Sequence, residues 1–148
     1  MPDTYHSVAN LLPDGTVFSG GGGLCGNCAT NHPDGQIFVP PYLLNPDGTR
    51  KPRPVITSVP AEAAYGAAVT IGVDREVKGL VLVRTSAVTH SVDNDQRRVP
   101  LLSIATSPTS RLAVIPADPG VAPPGNYLLF ALDDAGTPSV AAQIGIRD

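Results

Sequence analysis

The sequence predicts an all-β protein: a seven-stranded sandwich preceded by a smaller strand–turn–strand segment. Three observations carry this. Gly and Pro supply 31 of the 148 residues, about a fifth against roughly 12% in an average protein, and both damage helix interiors. Short β-like runs recur at regular spacing between turn signals. Several runs alternate, as Val69, Ile71 and Val73 do, which marks a strand with one buried face. The Gly and Pro excess is too scattered for collagen or low complexity, and an apolar fraction of 42% builds a core. A net charge of −3 with 16% charged residues leaves no basic stripe for a phosphate backbone. No apolar run approaches the ~20 residues of a membrane span. Nucleic-acid binding and a membrane span are therefore not expected.

In residues 1–50, the runs 5–12 and 16–19 read as a hairpin about Pro13-Asp14-Gly15. Residues 36–39 form a third short run, Pro40-Pro41 breaks it, and Asn45-Pro46-Asp47-Gly48 is another turn. Three or four short strands cannot bury both of their faces. The unit looks like a single propeller blade, which needs neighbours. It is expected to pack on something outside this chain or on a second copy. Lys51-Pro52-Arg53-Pro54 reads as a stiff extended linker. Within residues 51–148, strand-like runs follow at 55–59, 67–73, 77–84, 99–104, 111–115, 126–132 and 140–146. Turn signals such as Pro123-Pro124-Gly125 and Asp133-Asp134-Ala135-Gly136 lie between them. Seven short strands in this length suggest an immunoglobulin-like sandwich. The chain has no Trp, and no Cys after Cys28, so packing alone must hold it together.

The first residues, Met1-Pro2-Asp3-Thr4, carry neither a basic n-region nor an apolar h-region. Either the protein stays inside the cell or the chain begins within a longer one; the cysteines lean towards the second. Cys25 and Cys28 sit in a Gly-rich C-x-x-C. A redox pair would need a helix start, and none is readable. Zinc would need four ligands, and His32 supplies at most a third. A short-loop disulfide suits an oxidising compartment.

The His residues are His6, His32 and His90. His6 follows Tyr5, and His90 lies in a polar loop over residues 85–98. Imidazole with phenolate suits copper better than calcium or magnesium. Neighbours on a regular strand face opposite ways, so Tyr5 and His6 share one metal only where the strand bends, bulges or ends. His90 must then reach across from the sandwich, so the site would straddle both modules.

The run from Tyr5 to Val17, the segment from Gly20 to Cys28, Asn31-His32, the block Thr89-His90-Ser91-Val92-Asp93-Asn94-Asp95-Gln96-Arg97-Arg98-Val99-Pro100 and Gly136-Thr137-Pro138-Ser139-Val140-Ala141 occur in the order found in the copper radical oxidases. The chain resembles the C-terminal part of the galactose oxidase and glyoxal oxidase family. The resemblance implies a partial kelch-type propeller blade over 1–50 and an early-set immunoglobulin-like sandwich over 51–148. It implies a copper ion bound by an axial Tyr5 and by His6 and His90, with Tyr5 as proton acceptor, and a Cys25–Cys28 disulfide. It further implies a secreted oxidase that converts a primary alcohol, aldehyde or sugar and reduces oxygen to hydrogen peroxide. The family's second redox centre, a Tyr cross-linked to a Cys, has no match here, so the chain alone is expected to be catalytically incomplete and to need the missing propeller portion.

Other residues read more plainly. His32 is expected to be a loop hydrogen-bonder, and Tyr42, Tyr65 and Tyr127 to be packing residues. Arg97 and Arg98 read either as partners of Asp93 or Asp95 that fix the loop holding His90, or as solvated charge. Two other functions compete. One is a non-catalytic carbohydrate-binding or interaction module, which 5% aromatic residues without Trp support poorly. The other is a zinc-stabilised β protein using Cys25, Cys28 and His32.

Overall fold

The computed structural model describes residues 7–22 and 34–148. Its strands are β1 (Val8–Leu11), β2 (Val17–Gly20), β3 (Gly35–Phe38), β4 (Ile56–Ser58), β5 (Glu62–Ala64), β6 (Ala68–Val73), β7 (Gly79–Arg84), β8 (Val88–Thr89), β9 (Val92–Asp93), β10 (Arg98–Ser107), β11 (Ser110–Val114), β12 (Gly125–Leu132) and β13 (Ala142–Arg147). A single turn of 3-10 helix, Pro41–Leu43, follows β3. Strands β1, β2 and β3 form one antiparallel sheet. Eight others run in the order β4-β6-β11-β10-β7-β12-β13-β5. They make two layers because β10 serves both: Arg98 to Leu101 pair with β7, and Leu102 onward pairs with β11.

Each of the seven sandwich runs read from the sequence holds a strand. The structure adds an eighth, β5, parallel to β13. Glu-Ala-Ala has little strand propensity; edge pairing with β13, burial of Ala63 in the core and the Glu62–Arg147 ion pair hold it as a strand. The main core lies between the layers, with Ile71, Val73, Leu80, Leu82, Ile115 and Ile144 among its members. Tyr127 is fully buried there, and its hydroxyl donates to the Pro123 carbonyl at 2.7 Å. This four-residue return is the tyrosine corner of such sandwiches. Tyr65 donates to the neighbouring Ala122 carbonyl at 2.9 Å. Both tyrosines pack, as expected, and both also fasten the segment before β12.

Strands β7 and β12 read as unbroken apolar runs, Leu80-Val81-Leu82-Val83 and Tyr127-Leu128-Leu129-Phe130-Ala131. Such runs belong to strands covered on both faces. Their second face holds Val81, Val83, Leu128 and Phe130, with Leu11 of β1 packed against them. The three-stranded sheet thus sits on the outer face of the sandwich.

Polar bonds fix that contact. Leu12-Pro13-Asp14-Gly15-Thr16 and Asn45-Pro46-Asp47-Gly48-Thr49 fold alike. In each, the Gly amide donates back to the first residue's carbonyl, and the Asp carboxylate accepts from the Thr amide and hydroxyl. Positive φ at Gly15 (79°) and Gly48 (83°) permits both turns. The first turn is held on three sides. Tyr42 donates to the Gly15 carbonyl at 2.6 Å, the Ala141 amide donates to Pro13, and Arg53 donates to Asp14 at 2.6 Å. The same guanidinium donates to Pro138 at 2.6 Å and Ser139 at 2.5 Å. The linker is therefore also a clamp, a role its Pro-rich composition did not suggest. Tyr42 likewise does more than pack.

Charged hydrogen bonds contribute roughly 1.5–3 kcal/mol each. Arg53→Ala is expected to lower the urea midpoint of unfolding by the equivalent of about 2–4 kcal/mol. Arg53→Lys should recover only part, because one ammonium cannot match a planar fork across three carbonyls. Equilibrium urea denaturation checks both.

Candidate metal site

The polar loop between β7 and β10 is a hairpin. Strands β8 and β9 pair Val88 with Asp93 and Thr89 with Val92. His90 and Ser91 form the two-residue turn, with φ of 52° and 63°. Positive φ at both turn residues matches the right-handed twist of a tight hairpin. It is uncommon outside glycine and costs of order 1–3 kcal/mol per residue. The imidazole is exposed at the tip, and Thr89 Oγ1 lies 2.7 Å from its Nδ1. Which ring nitrogen can meet a metal is set by the bond the other one makes.

The hairpin's base is tied in several directions. Asp93 Oδ1 accepts the amides of Ala87 (3.2 Å), Asp95 (3.1 Å) and Gln96 (3.0 Å). Arg84 pairs with Asp95 at 3.3 Å and donates to the Pro124 carbonyl at 3.1 Å. Arg97 donates to Gly120 at 3.0 Å. The segment from Gly120 to Gly125, already fastened by Tyr65 and Tyr127, therefore buttresses the hairpin. Gly125, at φ 148°, leaves room for this: a Cβ there would meet the Arg84 guanidinium at 3.2 Å.

These bonds correct one expectation. Neither Arg97 nor Arg98 forms an ion pair with Asp93 or Asp95; Arg84 takes Asp95, and Asp93 takes backbone amides. Arg97 turns instead to a carbonyl across the sandwich. Sequence reasoning also missed the role of Asp93. Its signal was an Asp with amides two and three positions on, the pattern of a local carboxylate-capped turn.

The hairpin does not stand apart from the three-stranded sheet, because β8 lies against β1. A cavity of about 460 Å³ is lined by Ala9, Leu11 and Val17 of that sheet together with Val83, Gln96, Arg97 and Arg98. Tyr5, His6, Cys25, Cys28 and His32 lie outside the described residues. Among the described residues no three His, Cys, Asp or Glu side chains gather as a metal site. His90 is thus the described member of the expected ligand set. An imidazole carried outward on a braced tip, with its second nitrogen engaged, fits that role. Among the described residues no helix is long and apolar enough to cross a membrane.

A braced early-set sandwich carrying this hairpin defines the class. Residues 53–146 match the galactose oxidase-like early set domain, and the chain belongs to that family. It is 46% identical over 143 residues to a galactose oxidase of Gibberella zeae, covering 96% of this chain and 21% of that protein. It is 32% identical over 166 residues to an aldehyde oxidase of Arabidopsis thaliana, covering 99% of this chain and 26% of that protein. Among solved structures it matches a fungal alcohol oxidase of the AA5 family in complex with copper. The TM-score is 0.90 at 44% identity, over 96% of this chain and 31% of that one. The chain therefore spans under a third of each of these relatives. It is homologous to the galactose oxidase and glyoxal oxidase group of copper radical oxidases.

Two carboxylates make the junction sensitive to acid. Burial pushes the Asp93 carboxyl up, but the amides of Asp95, Ala87 and Gln96 and the Ser86 hydroxyl outweigh it and hold it below the ordinary 3.8. The Thr16 hydroxyl, with its amide and nearby Arg53, holds Asp14 below the same value against a smaller effect of burial. A carboxyl depressed in the folded state stabilises fully above its unfolded pKa and loses that contribution as pH falls through the folded one. Thermal stability is expected to be flat from about pH 7 to pH 5 and to fall below about pH 4. Melting curves across this range check it.

Proposed function

We propose that this chain is the C-terminal part of a secreted copper radical oxidase, supplying Tyr5, His6 and His90 to the copper ion. The observation that carries the reading is the packing of β8 against β1. His90 directly follows β8, and Tyr5-His6 lies two residues before β1. Ligands far apart in sequence thus flank two touching strands, and the Arg53 clamp holds the sheet that contains one of them.

In this reading, residues 1–50 belong to a kelch-type propeller whose remainder lies outside this chain. The edge of β3 supports it. All four residues of β3 are exposed, Ile37 and Phe38 among them, and its outer side has no partner strand among the described residues. Such an edge suits further strands. Cys25 and Cys28 pin the Gly-rich turn as a disulfide.

Bound copper supplies one-electron redox capacity and a Lewis-acid site. Tyr5 would accept the hydroxyl proton of a primary alcohol or hydrated aldehyde, because a phenolate is basic. His6 and His90 would supply imidazole nitrogens to the ion. Overall the substrate loses two electrons and two protons, and oxygen gains both to become hydrogen peroxide. The second redox centre is not in this chain, so the chain alone is catalytically incomplete.

Copper titration followed by electron paramagnetic resonance tests this. The parent is expected to show a Cu(II) signal with nitrogen coupling. His6→Ala/His90→Ala should lose it, and His32→Ala should keep it. Copper binding unchanged in the double variant would overturn the assignment, as would one tightly bound zinc per chain with free thiols.

A further inference from the structure

We infer that Asp93 is the positioning residue for His90, fixing where the imidazole stands without touching it. The inference rests on His90 being a copper ligand. The hairpin has little to hold it by itself. It has two ladder pairs, Val88 with Asp93 and Thr89 with Val92, and isolated hairpins are marginal even when longer. Its turn has the twist a tight hairpin needs, but holds two non-glycine residues at positive φ, at a cost in backbone strain. Its geometry therefore depends on its base as well as on the packing of β8 against β1.

Asp93 is the side chain that ties both sides of that base through main-chain amides. One oxygen, Oδ1, accepts the amide of Ala87, which enters the hairpin, and those of Asp95 and Gln96, which leave it. The Asn94 amide completes the closure on the Ala87 carbonyl at 3.2 Å. The bonds of Arg84 and Arg97 differ in kind. They moor the loop's ends to the Pro124 and Gly120 carbonyls, and Arg84 reaches across to Asp95, outside the hairpin strands themselves. A tip on a short lever moves far for a small opening at its base. Removing the Oδ1 acceptor therefore displaces the imidazole relative to β1, while the sandwich core, built from other residues, stays folded.

Copper titration with paramagnetic resonance, run beside thermal unfolding, tests the inference on the intact chain. Asp93→Ala is expected to weaken Cu(II) binding roughly 10- to 100-fold, as loss of support behind a metal ligand does, and to change the hyperfine pattern. Asp93→Asn keeps an acceptor oxygen and should keep the parental spectrum. Parental affinity and spectrum in Asp93→Ala would overturn the inference. His90→Ala separates the two readings. If it binds copper as the parent does, the ligand assignment itself falls. If it loses copper while Asp93→Ala does not, only the role of Asp93 falls. Should Asp93→Ala fail to fold, amide hydrogen exchange in the parent decides. Slow exchange at Ala87, Asp95 and Gln96 is expected, and exchange at unprotected rates would overturn the inference.

Discussion

The Arg53 guanidinium donates to the carbonyls of Asp14, Pro138 and Ser139, and the placement of the three-stranded sheet on the sandwich depends on this bond set. The apolar contact beneath it, Leu11 against Val81, Val83, Leu128 and Phe130, is non-directional and permits sliding. The guanidinium does not, because a planar fork fixes its acceptors in direction as well as distance. Two of the segments that carry the family resemblance, the Pro13-Asp14-Gly15 turn and Thr137-Pro138-Ser139, meet at this one side chain. Their shared character has a mechanical cause: both supply main-chain oxygens to Arg53.

A second line of support runs from the core to the hairpin. Tyr127 and Tyr65 anchor the carbonyls of Pro123 and Ala122. The same segment receives Arg84 and Arg97 from the hairpin's flanks. Core packing, a tyrosine corner, an irregular segment and the loop that carries His90 are thus joined in sequence. Rigidity at an exposed tip is imported from buried phenols some distance away. This is the support a metal ligand on a loop needs, since a loop has no packing of its own to hold a ring in place.

Much of the fold was legible in the sequence. Alternation at Val69, Ile71 and Val73 marked β6, and short runs between turn signals marked β7 and β12, though not that both of their faces are covered. Pro-Asp-Gly marked the turns. Strand β5 was not legible, because Glu62-Ala63-Ala64 has no strand signature. Neither was the β8–β9 hairpin, because His-Ser is not a residue pair that turn chemistry favours. The clamp was invisible for another reason: Arg53 sits among prolines, and its acceptors lie 39, 85 and 86 positions away. At the candidate site, spacing alone did not single out His90; the surrounding Thr89 to Pro100 block did. The expected pairing of Arg97 and Arg98 with the loop's carboxylates failed because the amides near Asp93 are closer in sequence and already oriented.

Strand β3 carries neither a charge nor a proline, the two commonest means of protecting a free border. Ile37 and Phe38 lie more than half exposed upon it. Outside its natural setting such a border is a template for self-addition, each molecule offering the next a ladder of main-chain donors and acceptors. Self-addition at this border would limit the solubility of the isolated chain independently of the strength of its interior. A single lysine placed on that border would raise that solubility without touching the fold.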